Sequence, residues 1–140
     1  MKRVVSLILV LITLLSVFSL SACGRSEKDI EEEMREFCYE YYVEGGWVPE
    51  SDFENGFSKT YGEKADVEDG SDAEYIIGFM LYSPGGGVSV RKFKNIFDAK
   101  KWEDKMESNP RVRYYCVRKG SYVVGGYDSD AVNGLAKRIF

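Results

Sequence analysis

The chain of 140 residues contains no histidine. That removes histidine-based nucleophile triads, imidazole metal ligands and a histidine pH switch. Cysteine is scarce, with three in the chain, and no two are spaced as CxxC, which argues against thiol-redox chemistry. Proline occurs three times, at 49, 84 and 110, each beside a predicted turn or helix end. The Gly-rich stretch after Pro84 lacks the Gly-Lys-Ser/Thr of a phosphate loop, so nothing supports nucleotide binding. Basic residues are few over 23–83, with 5 against 17 acidic side chains, net −12. Residues 84–140 reverse this, with 12 basic and 6 acidic, net +6. Such a split implies halves that partly neutralise one another or surfaces for opposite partners.

What is present begins with an address. Met1-Lys2-Arg3 is cationic, and Val4 to Ala22 carries no charge. A cationic start, an apolar run and small residues before a cut site make a secretory signal. The alternative is an uncleaved span, since 19 uncharged residues from Val4 to Ala22 could just cross a bilayer. Leu20-Ser21-Ala22-Cys23 resembles the lipobox of bacterial lipoproteins in order and position. The resemblance implies a diacylglyceryl group on Cys23, cleavage after Ala22, and a protein on the extracytoplasmic side of the cell membrane. Residues 1–22 are then the signal and 23–26 the lipidated tether, leaving 27–140 as a single α+β domain. After cleavage there are 17 basic and 23 acidic side chains, net −6.

The domain reads from its periodicities. Ser26 and Asp29 form an N-cap pattern, and Ile30, Met34, Phe37, Cys38 and Tyr41 recur at helical spacing. This predicts an amphipathic helix over 27–44, acidic outside and stopped by Gly45-Gly46. Phe53, Phe57 and Tyr61, four apart, predict a second short helix. The acidic run 66–72 has its glycine fifth rather than sixth from Asp66 and no twelfth-position Glu, so it reads as a solvated loop, not an EF-hand.

Residues 73–83 form the clearest strand, apolar on both faces and hence central. Residues 88–94 are its hairpin partner. A helix begins at Asn95 or Asp98 and carries Ala99, Trp102 and Met106. Residues 111–118 and 121–127 make a second hairpin, and Asp128 opens a last helix with Ala131, Leu135 and Ile139 inward. The expected architecture is therefore a four-stranded antiparallel sheet of two hairpins, each followed by a helix, with the N-terminal helix packed on it. The pattern resembles small bacterial lipoproteins, a resemblance that brings no chemistry with it.

Candidate sites follow. Cys38 and Cys116 could form a disulfide if both face one core, or stay as two buried thiols. Trp47, between Gly46 and Pro49, is the exposed aromatic candidate, while Trp102 belongs to the core. Arg91, Lys92, Lys94, Arg111, Arg113, Arg118 and Lys119 lie on or beside the second and third strands. If those strands pair, several meet on one face, with Tyr115 projecting beside Arg113. Arg91, Lys92, Arg111, Arg113, Tyr115 and Trp47 thus form a candidate surface for an anionic envelope polymer or an acidic protein partner; an acidic helix covering that face is the competing reading. Nucleic acid is not expected outside the cytoplasm. Neither a cofactor nor a bound metal is called for. The expected function is a non-catalytic binding or accessory module of the envelope, and the alternative is a small enzyme acting on wall material through carboxylates.

Overall fold

The computed structural model describes residues 25–62, 73–81, 86–111 and 113–140. The signal, the lipobox with Cys23 and the acidic run 66–72 lie outside these residues. Among the described residues, no helix is long and apolar enough to cross a membrane.

The protein is α+β. Helix α1 spans Glu27–Cys38, and the chain continues as a wider π-helical turn over Tyr39–Glu44. Its start is fixed by a reciprocal cap. The Asp29 amide donates to Ser26 Oγ and the Ser26 amide donates to Asp29 Oδ2, both at 3.1 Å. Two 3-10 turns, Glu50–Asp52 and Glu54–Gly56, lead into β1, Phe57–Tyr61. Strands β2 (Ala73–Met80) and β3 (Gly87–Phe93) form the first hairpin, followed by α2, Ile96–Glu107. Strands β4 (Tyr115–Lys119) and β5 (Tyr122–Gly126) form the second, followed by α3, Ser129–Ile139. Asn95 caps α2 by accepting from the Asp98 amide at 2.9 Å. Asp128 caps α3, accepting from Asp130 and Ala131.

The antiparallel sheet has five strands, not four, in the order β1-β2-β3-β5-β4. The extra strand is β1, where a short helix was expected. A spacing of four puts side chains on one face of a helix, but it also puts them on one face of a strand, which repeats every two. Phe57 and Tyr61 satisfy both patterns, and the segment Phe-Ser-Lys-Thr-Tyr is rich in strand formers. Gly56, just before it, admits the Phe79 ring, since a Cβ there would stand 2.4 Å from that ring.

The two faces of the sheet bury different cores. On the first, Tyr75, Ile77, Phe79, Val88, Val90 and Val124 pack with residues of α1 and α3, among them Met34, Leu135 and Ile139. On the second, Ala73, Ile76, Phe93 and Val123 pack under Ala99 and Trp102 of α2. Trp102 is buried, as the helical spacing predicts. A register shift between Ala73 and Tyr75 puts Ala73 and Ile76 on the same side despite their odd separation.

Beside the first core, α1 runs along β1 with a charged seam. Lys59 bridges Glu27 and Glu31 at 2.7 and 2.8 Å, and Tyr61 donates its hydroxyl to Glu27. Further along, Arg35 pairs with Glu31 and Glu54 and lies over the Phe57 ring, 4.4 Å from its centroid. Burial pushes the Glu27 carboxyl up, but the hydrogen bonds from Lys59 and Tyr61 outweigh it and hold the group below the usual carboxylate range. The Lys59 hydrogen bond lowers Glu31 likewise. That seam lies wholly within the acidic half; among the described residues, the charge-split halves meet in the pairs Arg138 with Glu40 and Lys92 with Glu74.

Candidate functional site: a groove on the half-covered sheet face

Helix α2 covers only part of the second face. Strict alternation sends Ser58 and Thr60 of β1, Ile76, Gly78 and Met80 of β2, and Ser89 and Arg91 of β3 to that side. Together with Tyr114, Gly125, Gly126 and Tyr127 they line a groove of about 340 Å³. Its depth comes from the small residues in its floor. A Cβ on Gly125 would lie 2.6 Å from the Tyr114 ring, so the ring comes this close to the strand only because the position is glycine.

At the inner end stands Arg91. Its guanidinium lies 4.2 Å from the Trp102 ring centroid. Nη1 donates to Ser89 Oγ at 2.5 Å and to Tyr114 Oη at 3.2 Å. Tyr114 packs edge-on against both Trp102 and Tyr127, at 5.7 and 5.1 Å. These contacts hold the cation in one orientation, and a planar, fixed guanidinium suits a carboxylate or phosphate. Burial raises the Tyr114 phenol, against the opposing pull of Arg91. The phenol is therefore a neutral donor at physiological pH. The outer rim is apolar and exposed, with Met80 at 66% and Tyr127 at 45%.

Among the described residues, the groove is lined by hydroxyls and by no carboxylate. A second concavity, formed by Arg25, Asp29, Glu32, Glu33 and Glu36, is the outer face of α1 and its approach. Among the described residues, no cluster of Cys, Asp and Glu could hold a metal ion.

The residues singled out from the sequence are dispersed. The basic set required the second and third predicted strands to pair, but β3 pairs with β5, which separates it from β4. Arg91 alone reaches the groove. Lys92 points to the other face, donating to the Phe93 carbonyl and Ser121 Oγ at 2.7 and 2.8 Å. Tyr115 is on the first face, half-buried. Arg111 and Arg113 are exposed in the segment between α2 and β4. Arg118 pairs with Glu103 at 3.3 Å, and Lys119 donates to the Phe140 carbonyl at 2.8 Å. Trp47 is 74% exposed at the rim of a small hollow with Pro49 and Leu81.

The structure does not bring Cys38 and Cys116 together. Both are free, and the sheet lies between them, Cys38 in the first core and Cys116 beside the second. Burial pushes both thiols up, Cys116 to about 12, which leaves them protonated and unreactive.

Sequence reasoning missed Ser89, Tyr114, Gly78 and Gly125. A signal existed for one of them, Ser89. Ser89 and Arg91 alternate with Val88 and Val90, which marks one polar face of β3. The glycines carry no side-chain pattern, so only the packing shows what their smallness admits.

Comparison with protein-family models, curated proteins and solved structures returned no match to this chain.

Proposed function

We propose that this protein is a lipid-anchored envelope module, tethered on the extracytoplasmic side of the cell membrane through Cys23, that binds a partner in the groove of its half-covered sheet face. The lipobox-like Leu20-Ser21-Ala22-Cys23 supports the anchor. In this reading α1 is the amphipathic strut between tether and sheet. The observation that carries the binding role is Arg91, held by Trp102, Ser89 and Tyr114 at the end of a mainly apolar groove. A site of this kind accepts an elongated apolar group ending in a carboxylate or phosphate, as an anionic envelope polymer or an acidic protein partner would present. In this reading the role is non-catalytic: among the described residues, no carboxylate stands beside the groove's hydroxyls to act as a general base.

A titration with an alkyl phosphate, set against the matched alkyl alcohol, tests the reading. The expected result is saturable movement of the Gly78, Ser89 and Gly125 amide resonances with the phosphate and weaker movement with the alcohol. Arg91→Met should abolish the preference for the anion. Equal response to both probes in the native protein sinks the anionic part of the proposal. No response at any of the three amides sinks the groove as the binding site.

A further inference from the structure

The strand register sorts the molecule into two ends. At one end Tyr61 opposes Tyr75, Tyr75 opposes Lys92, Lys92 opposes Tyr122, and Tyr122 opposes Lys119. Glu27, the first residue of α1, reaches the same end through Tyr61 and Lys59. Phe93 ends β3 there, and α2 starts just beyond it at Ile96. The other end carries Met80, Gly87 and Gly126 and hence the mouth of the groove, with Trp47 near Met80 and Leu81. Eight residues of β2 separate the ends by about 25 Å.

The first turn of α2 is unusual among the described residues. Phe97 is 85% exposed and Ile96, beside it, 54%. Neighbouring Lys94, Lys100 and Lys101 are exposed as well. An apolar tip ringed by lysines is the composition of an interfacial membrane contact: the ring enters the headgroup boundary and the ammonium groups meet phosphate. Among the described residues, the acids at this end are engaged, with Glu74 paired to Lys92 and Asp98 accepting from the Asn95 side chain. Glu27 is bound by Lys59 and Tyr61, Asp29 by the Ser26 cap, Glu32 by Lys28 and Glu33 by Arg25.

The tether selects the occupant. Cys23 is two residues before Arg25, so its thiol cannot stray much more than about 7 Å along the chain from the described structure. We infer that the Ile96–Phe97 tip of α2, with Lys94, Lys100 and Lys101, docks on the bilayer surface and fixes the domain upright, with the groove facing away from the membrane. The inference rests on the lipid-anchor reading of Cys23. It adds a second contact to the lipid and assigns the groove to the distal end.

The test uses the full-length lipidated protein in vesicles of phosphatidylcholine and phosphatidylglycerol with brominated acyl chains. Emission from the indole added by Phe97→Trp is isolated by difference against the native protein, and that of Trp47 by difference against Trp47→Phe. The expected result is a blue shift and loss of the added emission in brominated vesicles, with Trp47 emission unchanged. A vesicle-bound, lipidated protein whose added indole stays unquenched overturns the docking while the anchor reading stands. Quenching of Trp47 instead overturns the orientation. An unmodified Cys23 by mass spectrometry overturns the anchor reading and this inference with it.

Discussion

The two faces of one sheet are built to different degrees of completion. The first is closed by α1 and α3 over a continuous aromatic and aliphatic core. The second is closed by α2 over Phe93 and Val123 and then left open across β1 and the outer part of β2. Both faces come from the same strands, so the difference lies in alternating residues. Phe79 and Ile77 face the closed side, Gly78 and Met80 the open one. A closed face gains stability from area removed from water. An open face with glycine, serine and one fixed arginine gives up that gain and leaves a groove in its place.

The largest break in this contrast comes from adjacent residues. Phe79 is fully buried, with ring centroids of Tyr42, Phe53 and Phe57 at 5.1, 5.4 and 4.8 Å. Phe79→Ala should cost about 4 kcal/mol in a urea titration, from lost transfer energy and the cavity left among three rings. Met80, next in the chain on the other face, should cost less than about 0.5 kcal/mol when cut to alanine. Similar losses at the two positions would mean that the open face is not open.

A smaller effect sharpens how the closed face is joined to α1. Lys59→Met should cost about 1 kcal/mol at neutral pH, the scale of two partly exposed ion pairs. The sign with pH follows from the shifts. Glu27 and Glu31 are lowered in the folded protein, so their contribution is present above the unfolded carboxylate range of about 4.3 and is lost as pH falls through the folded values. Lys59 is raised, chiefly by hydrogen bonds to Glu27 and Glu31, so its part is complete below about 10.4 and lost only as pH rises through the folded value. The gap between native and variant stability should therefore be flat near neutrality and shrink below about pH 4. A gap that persists at pH 2 assigns the effect to packing of the Lys59 stem instead.

Much of the second half of the fold was legible in the sequence. Two hairpins, each followed by a capped helix, follow from turn residues at Gly120 and before Val88, and from Asn95 and Asp128 ahead of amphipathic runs. The first half was less so, because Phe57 and Tyr61 fit a strand as well as a helix. The site was least legible. Its cation, Arg91, was visible as one of seven basic residues near two strands. What singles it out is long-range: β5 inserts between β3 and β4, Trp102 arrives from α2, and Tyr114 arrives from the segment before β4. Alternation says which residues share a face, but not which face a helix leaves bare.

The smallest expected change falls on the groove floor and tests the contrast most directly. Gly78 sits in the middle of a central strand, where glycine is costly by about 0.5–1 kcal/mol relative to alanine. Among the described residues, a Cβ there would meet only Ser58 Oγ, at 3.3 Å, the end of a side chain that can turn aside. Gly78→Ala should therefore leave stability unchanged or raise it by about 0.5 kcal/mol. The same methyl would stand in the floor between Ser58 and Ser89, the residues opposite Gly78 on either side. It should weaken binding of an alkyl phosphate while the fold gains. Destabilisation with unchanged binding would show that Gly78 serves packing rather than the groove. A more stable protein with a poorer site would show that the open face keeps glycine at some expense to the fold.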